Sequence, residues 1–86
     1  AGSEVNNALT QVQVARGKTE LRDGQITSLE TAVRSTQLLM KHGNSTYLEV
    51  LTAQQSLLSA QLTQIADRFD EIQGIINLYQ AFGGRE

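Results

Sequence analysis

The sequence contains no cysteine, no proline and no tryptophan, and aromatic residues make up only 5% of it. Without cysteine, neither a disulfide framework nor a cysteine-based zinc site can stabilise the chain. Its 86 residues are enough for one small folding unit and too few for a large enclosed active site. Stability must therefore come from the packing of aliphatic side chains.

Charge of either sign and long hydrophobic runs are also scarce. Seven basic and nine acidic residues give a formal net charge of -2, so no excess positive charge attracts nucleic acid or an anionic membrane surface. The apolar runs, such as Leu38-Leu39-Met40, span only a few residues, whereas a membrane-spanning helix needs about 20. We therefore expect no nucleic-acid partner and no membrane span in this chain.

Residues that carry catalytic or metal-binding chemistry are few. His42 is the only histidine, and its position in a basic turn at a helix end explains it without a metal. Asp67, Asp70 and Glu71 are interpreted as a charged outer face of a helix, because Arg68 lies among them. No phosphate-binding loop or nucleophile elbow is present. The sequence predicts no catalytic site, no metal site, no cofactor and no enzyme activity.

Glycine supplies the only strong breaks in a chain that is rich in helix-forming residues. In the segment Lys41-His42-Gly43-Asn44-Ser45-Thr46, a basic turn, a glycine and a Ser or Thr N-cap predict the end of one helix and the start of the next. Residues 1–3 are interpreted as a cloning scar, 4–41 as helix 1, 42–45 as the turn, 46–82 as helix 2 and 83–86 as a tail. A turn this short favours antiparallel helices.

Apolar residues repeat with alternating spacings of three and four in both halves, as in a coiled-coil seam. In helix 2 the predicted seam is interrupted only by Gln55 and consists of Leu48, Leu51, Leu58, Leu62, Ile65, Phe69, Ile72, Ile76 and Tyr79. In helix 1 it is weaker and consists of Val5, Ala8, Val12, Ala15, Thr19, Arg22, Ile26, Leu29, Val33, Thr36 and Met40. We expect these seams to pack together in an all-α, antiparallel two-helix coiled coil. A break at Asp23-Gly24, giving three helices, is the alternative.

Residues 45–66 in helix 2 are unusual because Glu49 is their only charged residue. The other polar positions carry Gln, Ser and Thr, whereas solvated coiled-coil faces carry Glu and Lys. A second ridge of small and apolar residues lies beside the main seam, at Val50, Ala53, Leu57 and Ala60. Two interpretations stay open: an uncharged face in contact with solvent, or a surface that packs against further helices or lines a water-filled passage.

Segment 39–61 carries the Gly43 turn, then Tyr47-Leu48-Glu49-Val50-Leu51 and Ala53-Gln54-Gln55-Ser56-Leu57. It closely resembles the second helical hairpin of TolC-like outer-membrane factors, the exit ducts of bacterial efflux pumps and type I secretion systems. The closing segment 78–84 looks like the end of the same repeat. The resemblance implies a homotrimeric duct in the Gram-negative cell envelope, with a periplasmic α-barrel of packed hairpins. The chain would be one hairpin of that barrel.

By its position in this motif, the turn would be the periplasmic tip of the duct. The resemblance implies that the tip docks a periplasmic adaptor, and through it an inner-membrane pump, by means of Lys41, Gly43, Asn44, Ser45 and Thr46. It implies gating or pore-facing roles for Met40, Ser45, Glu49 and Thr52. Compared with the best-known family pattern, Met40 replaces an aromatic residue, Ser45 an arginine and Thr52 an aspartate, whereas Glu49 keeps a carboxylate.

A second hypothesis is a structural or interaction coiled coil without a channel role, such as an adaptor hairpin or a secretion-needle subunit. The same wide apolar surface would then serve only for dimerisation or stacking. For the isolated chain, that surface makes a four-helix bundle of two copies an alternative to a monomer.

Overall fold

The computed structural model describes residues 2–83, which form two long helices joined by a short turn. Helix α1 comprises Gly2–Lys41 and helix α2 comprises Tyr47–Gly83. They lie antiparallel in a hairpin with principal dimensions of 66 × 14 × 12 Å. The predicted all-α hairpin is thereby confirmed. Residue 1 of the predicted scar and residues 84–86 of the predicted tail lie outside the described residues.

Helix α1 is continuous through Asp23 and Gly24, so the three-helix alternative is wrong for residues 2–83. The Oγ1 of Thr27 donates a hydrogen bond to the carbonyl oxygen of Asp23 at 3.1 Å. A β-carbon at Gly24 would meet nothing within 4 Å. Gly24 is tolerated because its helix is stabilised mainly by contact with α2 and not by intrinsic helix propensity.

The face of α1 that meets α2 is the one that the sequence predicts. Its buried members, each at most 9% exposed, are Ala8, Val12, Ala15, Ile26 and Val33. Its half-buried members are Val5, Thr19, Arg22, Leu29 and Thr36. Met40, the last member before the turn, is exposed. The three-four spacing therefore identifies the contact face correctly along nearly all of α1.

The predicted contact face of α2 is wrong, because its large apolar side chains point away from α1. Leu62, Ile65 and Phe69 remain 59%, 63% and 69% exposed. Helix α1 instead contacts a neighbouring row with the same spacing, which we call the inner seam. The inner seam is buried or half-buried throughout and consists of Val50, Ala53, Leu57, Ala60, Gln64, Asp67, Glu71, Gly74, Leu78 and Ala81. It continues the second ridge that the sequence shows at positions 50–60.

The small residues of the inner seam allow the two helices to approach closely. Gly74 lies so near Val12 that a β-carbon at position 74 would be 3.3 Å from Val12 Cγ2. The bulky side chains of the predicted seam would hold the helices farther apart. No large side chain in the described part of the chain is fully buried. The contact between the helices is therefore a thin layer of small and medium aliphatic groups, crossed by polar contacts.

These polar contacts lie in the middle of the hairpin and toward the end that is farther from the turn. Arg22 Nε donates to Asp67 Oδ2 at 3.0 Å, and Asp67 is only 4% exposed. The interpretation of residues 67–71 as a charged outer face is therefore wrong for Asp67 and for half-buried Glu71, which face α1. The other polar contacts between the helices are Arg16–Glu71 at 3.3 Å, Lys18–Asp70 at 3.1 Å, Thr19–Glu71 at 3.5 Å, Asp23–Gln64 at 2.8 Å and Gln11–Asn77 at 3.1 Å.

Candidate functional site: the turn and the uncovered face of α2

Helix α1 ends in a Schellman motif at the turn. The amide of Gly43 donates to the carbonyl oxygen of Met40 at 3.0 Å, and the amide of Asn44 donates to that of Leu39 at 2.7 Å. Gly43 has a φ of 79°, the only positive value among residues 2–83. A residue with a β-carbon is strained in this conformation, so the geometry of the turn depends on glycine.

Helix α2 begins with a side-chain cap. The amide of Glu49 donates to Thr46 Oγ1 at 3.2 Å, which makes Thr46 the N-cap residue. The hydroxyl of Ser45 donates to Glu49 Oε2 at 2.7 Å. The Glu49 carboxylate also lies in the first turn of α2, where the helix dipole favours negative charge. Both ends of the turn are thus closed by defined hydrogen bonds.

The structure brings together some of the residues predicted for docking and gating. Ser45 and Glu49 are in direct contact, as described above. Thr52 lies three residues beyond Glu49, is exposed, and donates its hydroxyl to the carbonyl oxygen of Leu48 at 2.9 Å. Met40 and Lys41 lie across the turn at the end of α1 and are exposed. The docking and gating roles themselves stay predictions.

Four exposed apolar side chains surround the turn, and none of them is among the residues predicted for docking or gating. The exposed fractions are 58% for Leu38, 45% for Leu39, 65% for Tyr47 and 71% for Leu48. We call these four residues the tip collar. Only Leu48 belongs to the predicted seam, so no shared periodic signal identifies the four residues from the sequence. Their exposure gives the tip an apolar surface around its polar turn.

Most of the other large apolar residues of α2 form an exposed row, continuous from Leu58 to Tyr79, which together with Leu48 we call the apolar stripe. It consists of Leu48, Leu58, Leu62, Ile65, Phe69, Ile72, Ile76 and Tyr79, each between 44% and 77% exposed. At about 103° per residue, the stripe lies about 150° round α2 from the inner seam. It leaves on the order of 1,000 Å² of surface in water, comparable to the roughly 800 Å² that each partner buries in a typical stable interface. Helix α2 therefore carries apolar residues on two nearly opposite faces, of which α1 covers one.

A row of small polar residues follows the side of α2 between these two faces. This polar column begins with the predicted gate residues and consists of Glu49, Thr52, Ser56, Ser59 and Thr63. Its members Thr52, Ser56, Ser59 and Thr63 line an open groove of about 510 Å³ together with Arg22 and Gln25 of α1. The groove is rich in hydroxyl and amide groups. It therefore presents hydrogen-bonding surface to water along much of the half of the hairpin that is nearer the turn.

Two classes of feature are missing from residues 2–83. They contain no group of three or more His, Cys, Asp or Glu side chains placed to hold a metal ion. Neither α1 nor α2 includes a stretch apolar enough, for its length, to pass through a bilayer.

A long hairpin with one covered face, one uncovered apolar face and a capped turn belongs to the class of helical elements that build larger assemblies. The chain belongs to the outer membrane efflux protein family, which residues 1–84 match. The members of that family form efflux ducts of the outer membrane and are transport components.

The cation efflux system protein CusC of Escherichia coli strain K12 is 31% identical to the chain over 84 residues, which is 98% of this chain and 18% of CusC. The CusC proteins of E. coli O6:H1 and O157:H7 match to the same extent. The chain thus spans less than a fifth of the length of these curated relatives. No solved structure gives a significant match.

Proposed function

We propose that the chain is one helical hairpin in the periplasmic wall of an outer-membrane efflux duct. The observation that carries this proposal is the presence of apolar residues on two nearly opposite faces of α2, of which α1 covers only the inner seam. A helix with two such faces is suited to a row of helices, in which each helix packs between two neighbours. Membership of the efflux family supports the same arrangement. The apolar stripe would pack against a helix of the next hairpin in a homotrimer.

The polar column would then face the water-filled interior of the duct. Glu49 and Thr52, predicted as pore-facing, lie on the same side of α2 as Ser56, Ser59 and Thr63. Hydroxyl groups keep such a wall hydrated without the strong field of a charged lining. Ser45 and Met40 would stand beside this column at the entrance and contribute to gating.

The turn would be the docking tip for a periplasmic adaptor, which in turn contacts an inner-membrane pump. Its polar part consists of Lys41, Gly43, Asn44, Ser45 and Thr46, and its apolar part is the tip collar. Interfaces combine a central apolar patch with polar groups at the rim, and this tip offers both. Opening of the entrance would require α2 to move against its neighbours near the tip. The small side chains of the inner seam, such as Ala53 and Ala60, leave few interlocking contacts to break.

The experiment that tests the docking tip is Gly43→Val in the full-length protein. Because φ is positive at this position, a β-branched residue should distort the turn. We expect loss of cross-linking to the adaptor and loss of export, at an unchanged level of protein in the outer membrane. Gly17→Val is the matched control, since Gly17 is exposed in mid-helix and a β-carbon there meets nothing within 4 Å. Normal adaptor cross-linking by Gly43→Val would contradict the assignment of the tip.

A structural coiled coil without a channel role is the second candidate, and the apolar stripe is the observation that favours it. In that case the stripe would be covered by the stripe of a second copy. A photo-crosslinking amino acid placed at Ile65 in the full-length protein distinguishes the two functions, because it reacts with whatever segment covers the stripe. Cross-links between two copies of position 65 favour the structural coiled coil. Cross-links from position 65 to a different segment favour the duct.

A further inference from the structure

Helix α2 could present either of two faces to α1. The hydrophobic effect alone favours the apolar stripe, which is the face that the structure leaves exposed. Burial of the apolar stripe against α1 would remove more apolar surface from water than burial of the inner seam does, since the stripe holds Leu, Ile, Phe and Tyr. The inner seam has only three larger aliphatic residues, Val50, Leu57 and Leu78, and otherwise offers Ala, Gly, Gln and two carboxylates. Some other interaction must therefore determine which face of α2 meets α1.

We propose that the partly buried ion pair between Arg22 and Asp67 makes this selection and so keeps the apolar stripe available for another helix. Arg22 lies within the apolar contact face of α1, between Thr19 and Ile26. Its guanidinium is 3.0 Å from Asp67, whose side chain is 6% exposed, while the Arg22 side chain is 30% exposed. Arg22 Nη1 also donates to Gln25 Oε1 at 2.6 Å, which holds the guanidinium in place.

The rotated hairpin shows why this pair is decisive. If α2 turned by about 150° to bury its stripe, Arg22 would be covered by large apolar side chains and would lose its carboxylate partner. A buried charge without a partner is strongly unfavourable, whereas the same charge in a hydrogen-bonded pair is tolerated. A single polar pair inside a coiled-coil seam is known to specify one arrangement among several in this way.

The other contacts between the helices are less able to select a face. Lys18 and Asp70 have side chains that are 47% and 59% exposed, and the Arg16 side chain is 64% exposed although that of its partner Glu71 is 25% exposed, so solvent weakens both ion pairs. The close contact of Gly74 with Val12 favours the inner seam sterically. The selection operates within the hairpin and holds whether or not the chain lines a duct.

The test measures which face of α2 is accessible in the 86-residue chain. Ala60→Cys reports on the inner seam, where Ala60 is 5% exposed, and Leu62→Cys reports on the stripe, where Leu62 is 59% exposed. In an otherwise unchanged chain, we expect a maleimide to label Leu62→Cys at least tenfold faster than Ala60→Cys. Labelling is measured at a concentration where light scattering gives a monomer, because self-association would also protect the stripe.

Arg22→Leu is the decisive variant. It makes the contact face of α1 apolar throughout and leaves Asp67 unpaired in the native arrangement. We therefore expect the labelling order to reverse, so that Ala60→Cys reacts faster than Leu62→Cys. Arg34→Leu is the matched control: it makes the same change on an exposed part of α1, where Arg34 bonds only to Thr31 of its own helix. The control should keep the native order.

A charge exchange provides the complementary result. Arg22→Asp combined with Asp67→Arg keeps an ion pair at the same place, so the native labelling order should return. A helical Arg22→Leu chain that keeps the native order would overturn the proposal, and so would reversal in the Arg34→Leu control. If Arg22→Leu loses its helical circular dichroism, Arg22→Gln takes its place. A labelling ratio unchanged by Arg22→Gln would then overturn the proposal as well.

Discussion

The two helices differ in the kind of side chain that they leave exposed to water. Helix α1 buries its regularly spaced apolar residues against α2, and those exposed along its middle, such as Val14 and Leu21, are isolated. Helix α2 gives its small and polar side chains to α1 and leaves its largest apolar side chains in a continuous row. The hairpin therefore buries the apolar face of α1 but leaves the larger apolar face of α2 in water. In this chain, periodic spacing of apolar residues does not by itself identify the face that is buried.

The largest effect should come from a charge placed on the apolar stripe. Phe69 is 69% exposed and Leu21 of α1 is 78% exposed, so the hairpin alone predicts that both tolerate an aspartate. If the stripe packs in an assembled duct, Phe69→Asp buries a carboxylate without a partner, at a cost of several kcal/mol. We expect Phe69→Asp in the full-length protein to abolish trimers on native gels and to abolish export.

Leu21→Asp is the matched control on the other helix and should leave both trimers and export intact. Equal tolerance of the two aspartates would remove the difference between the helices on which the duct wall depends. Equal loss would show that α1 also has a covered outer face.

The next largest effect concerns the partly buried ion pair. Asp67→Ala leaves Arg22 without its partner inside the contact face, and we expect the free energy of unfolding to fall by about 2 to 3 kcal/mol. Asp70→Ala removes an exposed pair with Lys18 and should cost less than about 0.5 kcal/mol. Urea unfolding of the 86-residue chain measures both. Equal costs for the two variants would contradict the distinction between an inner and an outer carboxylate.

A substitution at Gly74 tests how closely the two helices pack at the same contact face. A valine at position 74 would force α2 away from Val12, and overpacking of this kind costs about 1 to 3 kcal/mol. Gly17→Val introduces the same side chain into open space on α1 and should not destabilise the hairpin. Thermal unfolding followed by circular dichroism compares them. An unchanged melting temperature for Gly74→Val would show that the helices are not closely packed at this point.

The smallest effect belongs to the start of α2. Thr46→Ala removes the oxygen that accepts the Glu49 amide, and loss of an N-cap costs about 1 kcal/mol. Thr31→Ala makes the same change inside α1, where the exposed threonine hydroxyl donates to Thr27 and accepts from Arg34 of the same helix, so stability should not fall. The comparison is again made by urea unfolding. A Thr46→Ala chain as stable as the unchanged chain would mean that Thr46 does not cap α2.

The hairpin, the position of the turn and the contact face of α1 could all be predicted from spacing and from Gly43. The contact face of α2 could not, because its apolar row gives a stronger periodic signal than the row of small residues beside it. A usable signal was nevertheless present. Arg22 lies in the predicted seam of α1, and antiparallel pairing about a turn at 44–45 places it opposite Asp67. A charge inside one seam indicates where its partner lies on the other.

The docking and gating residues could be predicted only from the resemblance to a family, since nothing in their spacing requires a partner. Physical reasoning from the turn alone accounts for Gly43 as a C-cap and Thr46 as an N-cap. It does not reach the tip collar, because isolated apolar residues such as Leu39 and Tyr47 have no periodic pattern. Their exposure is visible only in the folded hairpin, where neighbouring residues are buried between the two helices and these are not.

The regular seam also links the length of the hairpin to the orientation of its tip. Both helices repeat in sevens, so removal of one heptad from each, at matched positions either side of the turn, shortens the hairpin by about 10 Å and leaves every remaining residue on its original face. Removal of a number that is not a whole heptad rotates the tip relative to the lower hairpin. In hairpins of this design, reach can change only in such steps, because length and orientation are tied to the same repeat.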